Sequence, residues 1–215
     1  MIASEGKIII IPTIIILFIG ITTSYLIDSL AWISYFNYTT FCFLLFSVYF
    51  FREPKRKVSG EANEMLSPAD GKVIQIIDLE DPEIGQAKQI SIFLSVFNVH
   101  SQFVPIDSKV IWSKYHAGKY LMAFNHKTST QNERTSTLFE TKGHNRYKIK
   151  QIAGFIARRI LNYMKTDQIV DKGHRLGFIR FGSRVEIIIP KNNFEILVKK
   201  GDKVRANLSS IGIFK

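Results

Sequence analysis

Two charge-free apolar runs at the start of the chain limit what it can fold into. Ile8 to Ile27 reads IIIIPTIIILFIGITTSYLI, and Ala31 to Phe51 is a second run, rich in aromatic residues and carrying Trp32 and Tyr35. A helix over the first run is about 30 Å long, the thickness of a bilayer's hydrocarbon core. Only Asp28, Ser29 and Leu30 separate the runs, which predicts a tight transmembrane hairpin. Pro12 is compatible with a membrane helix. The basic run Arg52-Glu-Pro-Lys-Arg-Lys57 follows at once, and positive charge beside a span is retained in the cytoplasm, so both ends of the hairpin are expected there. A cleaved leader is the competing reading. Against it stand the missing basic start, the lack of a small-x-small site before Asp28, and the second run behind it. A single span with a buried or interfacial partner is the other alternative.

The remainder of the chain is polar and basic. Net charge is +11, and only Glu5, Lys7 and Asp28 among the charged residues precede Arg52. A basic domain beside an oily anchor points to an anionic partner, either lipid headgroups or nucleic acid. Nucleic-acid binding would need exposed aromatics interleaved with the basic residues, or a recognisable motif, and neither is found. The single cysteine, Cys42, lies inside an apolar run, which excludes an intrachain disulfide and a cysteine-cluster metal site. No metal is expected.

From Val58 on, short apolar runs alternate with Gly, Pro, Asp and Asn. Val73–Ile77, Ile90–Leu94, Lys109–Trp112, Arg184–Ile189 and Glu195–Val198 read as strands. Ile152–Met164 is ambiguous, with helical spacing but a preponderance of Ile and Phe. A weak repeat relates Val170-x-x-Gly173 with Leu176 and Gly177 to Val204-x-x-Asn207 with Leu208 and Gly212. It is the rhythm of sandwich hairpins in biotinyl and lipoyl carriers, although no lysine sits at a carrier's hairpin tip. The fold class expected is α+β and β-rich. A transmembrane hairpin with its basic segment (1–57) would precede a compact sandwich- or barrel-like domain (58–215).

The stretch Arg180-Phe-Gly-Ser-Arg-Val185 carries the sharpest chemistry. A serine hydroxyl that loses its proton can attack the preceding carbonyl and turn the amide into an ester. β-Elimination then releases the upstream chain as a carboxylate and leaves dehydroalanine, which hydrolyses to a pyruvoyl group and ammonia. Glycine upstream exposes its carbonyl to close attack. Taken alone, Gly-Ser reads as a common turn.

Six motifs in order set the context. Leu66-Ser-Pro-Ala-Asp-Gly-Lys-Val73, Ile92-Phe-Leu-Ser-Val-Phe-Asn-Val-His100, Tyr115-His-Ala-Gly-Lys-Tyr120, Asn132-Glu-Arg134, Gln151-Ile-Ala-Gly-Phe-Ile-Ala-Arg-Arg159 and Arg180-Phe-Gly-Ser-Arg184 resemble those of the phosphatidylserine decarboxylase proenzyme family, in its short, archaeal-type form. The resemblance covers roughly residues 60–206. It implies that Ser183 becomes the pyruvoyl group and Gly182 its cleavage partner, dividing the chain into 1–182 and 183–215 that stay associated. It implies a lyase in which the amine of a serine phospholipid forms a Schiff base on that group and leaves as the ethanolamine lipid. Asp70 matches the acidic member of a Ser-His-Asp relay, whose bland reading is a turn residue before Gly71. His100 matches the family's histidine, as base for Ser183, proton donor, or both.

Two departures stand out. Longer family members carry a second histidine where this chain has Phe103, and the aspartate of the family's D-V-H segment is Asn98 here. His116 is therefore the alternative base and His126 a third candidate, while His144 and His174 sit in glycine-containing turns. Arg158, Arg159 and Arg180 are candidate clamps for phosphate or carboxylate, which a guanidinium fork matches. The expected partners are a phospholipid and the cell membrane, with the catalytic domain on the cytoplasmic side; a homo-oligomer is compatible with the sequence. From another class, a non-enzymatic membrane-tethered adaptor with a sandwich domain explains the apolar start but not the ordered motifs. A serine hydrolase would want G-x-S-x-G, which Arg-Phe-Gly-Ser-Arg is not.

Overall fold

The computed structural model describes residues 1–27, 31–58, 60–119, 131–154, 159–180 and 183–215. The expected hairpin turn at 28–30 and His126 lie outside them. The chain divides into two compact units, Met1–Lys55 and Arg56–Lys215.

In the first unit, α1 (Lys7–Leu26) and α2 (Ala31–Phe50) occupy the two apolar runs. Ile11, Ile14, Ile15, Ile16, Phe18, Ile19 and Ile21 are all exposed, so apolar side chains cover more than half of the circumference of α1, as on a lipid-facing helix. Both helices are long and apolar enough to cross a membrane. They meet where α1 is small: a Cβ on Gly20 would fall 2.1 Å from Asn37 Oδ1, and Asn37 Nδ2 donates to Ser24 Oγ at 3.2 Å. Small residues and polar pairs are what hold helices together where water offers no driving force.

The second unit is built from strands: β1 (Glu64–Leu66), β2 (Gly71–Asp81), β3 (Gly85–Leu94), β4 (Ser101–Phe103), β5 (Ser108–His116), β6 (Arg134–Thr141), β7 (Arg146–Ala153), β8 (Ile160–Asn162), β9 (Ile169–Val170), β10 (Arg175–Ile179), β11 (Ser183–Pro190), β12 (Phe194–Ile196), β13 (Lys203–Val204) and β14 (Ser210–Phe214). An 8-stranded sheet in the order β13-β2-β3-β11-β7-β6-β5-β9 curls into a half-barrel, and two 3-stranded sheets, β1-β14-β12 and β4-β10-β8, complete the unit. All the described pairings of named strands are antiparallel. The β-rich class and barrel-like core expected from the sequence are what the chain adopts. The ambiguous stretch 152–164 has no helix among its described residues: β7 ends at Ala153 and β8 starts at Ile160.

The sheet order hides a duplication. Strands β4 to β10 repeat the arrangement of β1, β2, β3, β11, β12, β13 and β14, so one half is inserted into the other between β3 and β11. The match extends to irregularities. β2 bulges between Val73 and Gln75, and β5 between Val110 and Trp112. Leu66 N–H donates to Pro105 O at 3.0 Å, while Phe103 N–H donates to Pro68 O at 2.9 Å, a reciprocal pair across a local two-fold. Val73-Ile92-Val185 and Val110-Phe139-Tyr147 are corresponding rows across the sheet.

The repeat seen in the sequence is the visible end of this duplication rather than a carrier hairpin. Gly173 (φ 85) and Asn207 (φ 63) take the same left-handed turn after β9 and β13, a conformation Gly and Asn tolerate best. Gly177 and Gly212 hold corresponding positions in the two 3-stranded sheets, each flanked by two neighbouring strands. A Cβ there would fall 2.0 Å from Leu161 O and 2.3 Å from Glu195 O respectively.

Candidate active site

The candidate residues lie where the chain leaves one half and returns to it: Ser95 to His100 follow β3, Arg180 follows β10, and Ser183 opens β11. Gly182 and Phe181 are outside the described residues, as is Arg158.

Ser183 opens β11 opposite Leu94 of β3 and Ala153 of β7. Strand alternation puts it on the same face as Val185, Ile187 and Ile189, all of which belong to the core. It is 0% exposed, and among the described residues its Oγ has no hydrogen-bond partner. A buried hydroxyl normally finds a partner; this one is held against small and apolar walls and left uncommitted.

His100 is also 0% exposed. Its Nδ1 lies 2.9 Å from Asn98 O. A backbone carbonyl only accepts, so Nδ1 carries the hydrogen and the neutral ring keeps its lone pair on Nε2. The ring centroid is 6.3 Å from that of Phe178, and the His100 carbonyl accepts from Ile179 N–H at 3.4 Å, four residues before Ser183. The side-chain oxygen of Asn98 accepts from Ser95 N–H at 2.9 Å and Ser95 Oγ–H at 2.8 Å. Both contacts need only an acceptor, which an amide oxygen supplies as a carboxylate would.

Among the described residues the partners of Asp70 are Arg56 and Ala206. Its carboxylate is gripped by both terminal nitrogens of Arg56, Nη2 at 2.8 Å from Oδ2, and Oδ1 accepts Ala206 N–H at 2.8 Å. Its counterpart Asp107 accepts Lys172 N–H at 2.7 Å through Oδ1 in the same way. The Asp-Gly pair is not a hairpin turn either. Gly71 starts β2, and a Cβ on it would fall 2.3 Å from Phe93 O.

His116 ends β5 opposite Arg134, in the row His116-Arg134-Ile152-Arg184. That row crosses four strands, three gaps or about 14 Å at the usual spacing, and lies on the face opposite Ser183. Burial, then Arg134, Lys114 and Lys150, holds the His116 imidazole below its ordinary pKa. Arg159 and Arg180 do come together: Arg180 N–H donates to Arg159 O at 3.3 Å. Arg180 Nε is buried with no partner among the described residues, and Arg159 is exposed.

Other sequence motifs converge on Ser183. Asn132 Nδ2 donates to Ala153 O at 2.7 Å, fixing the residue opposite Ser183. Gly118 packs so tightly under Asn132 that a Cβ would fall 2.4 Å from its carbonyl carbon. The duplication supplies a second argument that these positions share a site. Asn63, Asp107, Thr141, Asn145 and Phe214 line one cavity of about 330 Å³, and their counterparts are His100, Asp70, Leu94, Ser183 and Ile179. Sequence reasoning missed Arg56, hidden in a basic run that reads as juxtamembrane charge.

Residues 43–212 match the family model described as Phosphatidylserine decarboxylase. A phosphatidylserine decarboxylase proenzyme of Chlorobium chlorochromatii is 44% identical over 171 residues, covering 79% of this chain and 80% of that protein. The proenzyme of the same name from Paraburkholderia xenovorans is 44% identical over 165 residues, 76% of this chain and 77% of that one.

Proposed function

The chain belongs to the phosphatidylserine decarboxylase family, and we propose that it is a proenzyme that cuts its own Gly182–Ser183 bond and then decarboxylates a serine phospholipid to the ethanolamine phospholipid. The uncommitted, fully buried Ser183 Oγ carries this reading. His100 Nε2 takes the hydroxyl proton, Oγ adds to the Gly182 carbonyl, and the amide becomes an ester. Loss of the Ser183 Cα proton expels the Gly182 carboxylate. Water then converts the dehydroalanine left at residue 183 to a pyruvoyl group, with release of ammonia.

The residues around Ser183 suit such a group: one hydroxyl without a structural duty, and Ala153 and Leu94 as walls. When formed, it supplies a ketone for the substrate's amine and an electron sink for the carboxylate's electrons. His100 gives a proton to the carbon that loses carbon dioxide. Arg180, with Arg159 beside it, faces the substrate's phosphate or carboxylate. Asp70 acts as a positioning residue: Arg56 and Ala206 hold it, and through it the Ser67–Gly71 wall of the site.

After the cut the two chains stay together, because β11 lies between β3 and β7 and pairs with both. The apolar helices hold the enzyme at the membrane, with the basic domain drawn to anionic lipid on the cytoplasmic side. The adaptor reading leaves unexplained a buried serine whose Oγ has no partner among the described residues.

Intact-mass measurement of purified protein is the test. Chains of residues 1–182 and 183–215 are expected, the smaller one blocked to Edman sequencing by its ketone. Ser183→Ala should remain whole and inactive. A single uncut wild-type chain with full decarboxylase activity would sink the mechanism.

A further inference from the structure

A buried ladder of side-chain amides runs from His100 into the core. Gln102 Nε2 donates to His100 O at 2.5 Å. Gln151 Nε2 donates to Gln102 Oε1 at 2.9 Å, and Asn162 Nδ2 donates to Gln151 Oε1 at 2.9 Å. Asn162 Oδ1 in turn accepts Met164 N–H at 2.9 Å. Gln102 and Gln151 are both 0% exposed. The backbone fixes the direction of the ladder. Met164 N–H can only donate and His100 O can only accept, so each amide between them is oriented one way. Gly177 makes room for it, since a Cβ there would fall 2.8 Å from Gln151 Nε2.

The other half of the unit shows that the fold does not need this ladder. Gln102 and Asn162 flank Gly177 from β4 and β8, while Met65 and Ile196 flank Gly212 from β1 and β12. Gln151 stands four residues beyond Tyr147 on β7, as Ile189 stands four beyond Val185 on β11. The counterpart of the Gln-Gln-Asn ladder is therefore Met65, Ile189 and Ile196, two core residues and a third packed against them. Buried polar networks must be fully satisfied to break even with apolar packing, and an apolar set of similar volume is often as stable or more so. One half uses the apolar set; only the half that carries His100 uses amides.

We propose that Gln102, Gln151 and Asn162 are positioning residues for the chemistry: they hold the His100 peptide, and with it the imidazole, in register with Ser183. Gln151 sits two residues from Ala153 on the same face of β7, and Ala153 lies opposite Ser183. The ladder thus ties the histidine to the strand that walls the nucleophile. Across the local two-fold, Asn63 and Asn145 stand where His100 and Ser183 stand, and there the matching positions are the apolar Met65, Ile189 and Ile196. Geometry held to about half an ångström is what a base–nucleophile pair requires.

The inference rests on His100 serving Ser183, and the two can fail separately. The test is the triple variant Gln102→Met, Gln151→Ile, Asn162→Ile, which installs the apolar set of the other half. Its unfolding midpoint should match or exceed that of the wild type. Self-cleavage should slow at least ~10-fold, and kcat of the processed enzyme should fall similarly with KM unchanged, the signature of an interaction needed after binding. The ¹⁵N-labelled His100 ring should lose its single, slowly exchanging Nδ1–H signal. A folded triple variant with wild-type rates overturns the proposal, as does an unchanged His100 signal. If the triple variant does not fold, Gln151→Glu takes its place. It keeps the size but cannot donate to Gln102 Oε1, and wild-type rates and an unchanged ring signal there overturn the proposal. Should His100→Ala prove fully active, the ring signal still judges the ladder.

Discussion

The two halves of the strand-built unit share pairings, bulges and turn conformations, yet only one carries a nucleophile. Where one half has Ser183 and Asp70, the other has Asn145 and Asp107; His100 has Asn63 as its counterpart. The molecule thus contains its own control. What both halves keep serves the fold: the Asp that accepts a backbone N–H beside a left-handed turn, and the glycine crowded by a neighbouring carbonyl. What differs serves the chemistry: serine and histidine against two asparagines, and an amide ladder against Met and Ile.

The sharpest way to break this comparison is to exchange effects between the halves. His100→Ala should lower decarboxylation by the ~10²–10⁴-fold typical of losing a general acid or base, and the precursor should stay uncut. Asn63→Ala, at the matching position, should leave both rates within about two-fold, as surface and structural changes do. His116→Ala should behave like Asn63→Ala, because it lies on the opposite face. A gel and a carbon dioxide assay on the three variants read this directly. Normal cleavage in His100→Ala together with an uncut His116→Ala would move the base to His116.

Asp70 sharpens the comparison because it has a twin and also matches the acidic residue of the relay. Side-chain exposures of 12% for Arg56 and 9% for Asp70 make theirs a largely buried ion pair. Asp70→Asn leaves the guanidinium without its anion, and a loss of about 3 kcal/mol in unfolding free energy is expected. Folded Asp70→Asn should still cleave within ~10-fold of the wild type if Asp70 acts by positioning. A loss matching that of His100→Ala would place it in the relay instead.

Much of this was legible in the sequence because it is local. Apolar runs of membrane length, the short apolar runs of β2, β3 and β11, and the ordered motifs around Ser183 are written in contiguous residues. The insertion of one half into the other was not, since only the turns at Gly173 and Asn207 kept enough identity to be seen. Arg56 was hidden for a similar reason: in sequence it is one cation among several, and only the fold brings Asp70 and the Ala206 carbonyl to it. Asn98 appeared as a departure from the family pattern. In the turn its side-chain oxygen only accepts, from Ser95 N–H and Oγ–H, as an aspartate oxygen there would.

The smallest expected effect belongs to Asp107. Its pKa is held below the usual carboxylate value first by Lys172 N–H, with Lys142 assisting and burial opposing. A carboxyl group whose pKa is depressed by folding stabilises the native state above its unfolded pKa, and that contribution is lost as pH falls through the folded value. The wild type should therefore lose stability as pH drops from about 5 toward 2, partly through this residue. Asp107→Asn should show a shallower decline over that window and, at neutral pH, a deficit of ~1 kcal/mol or less, because the side chain is 36% exposed and its pair with Lys142 is screened by water. Cleavage and turnover should be untouched. Urea unfolding at several pH values measures the slope. A neutral-pH deficit as large as that of Asp70→Asn would mean that Arg56 adds nothing to the Asp70 clamp beyond what Lys142 gives its twin. The distinction between a working wall and a plain turn would then have to lie in Ser183 and His100 alone.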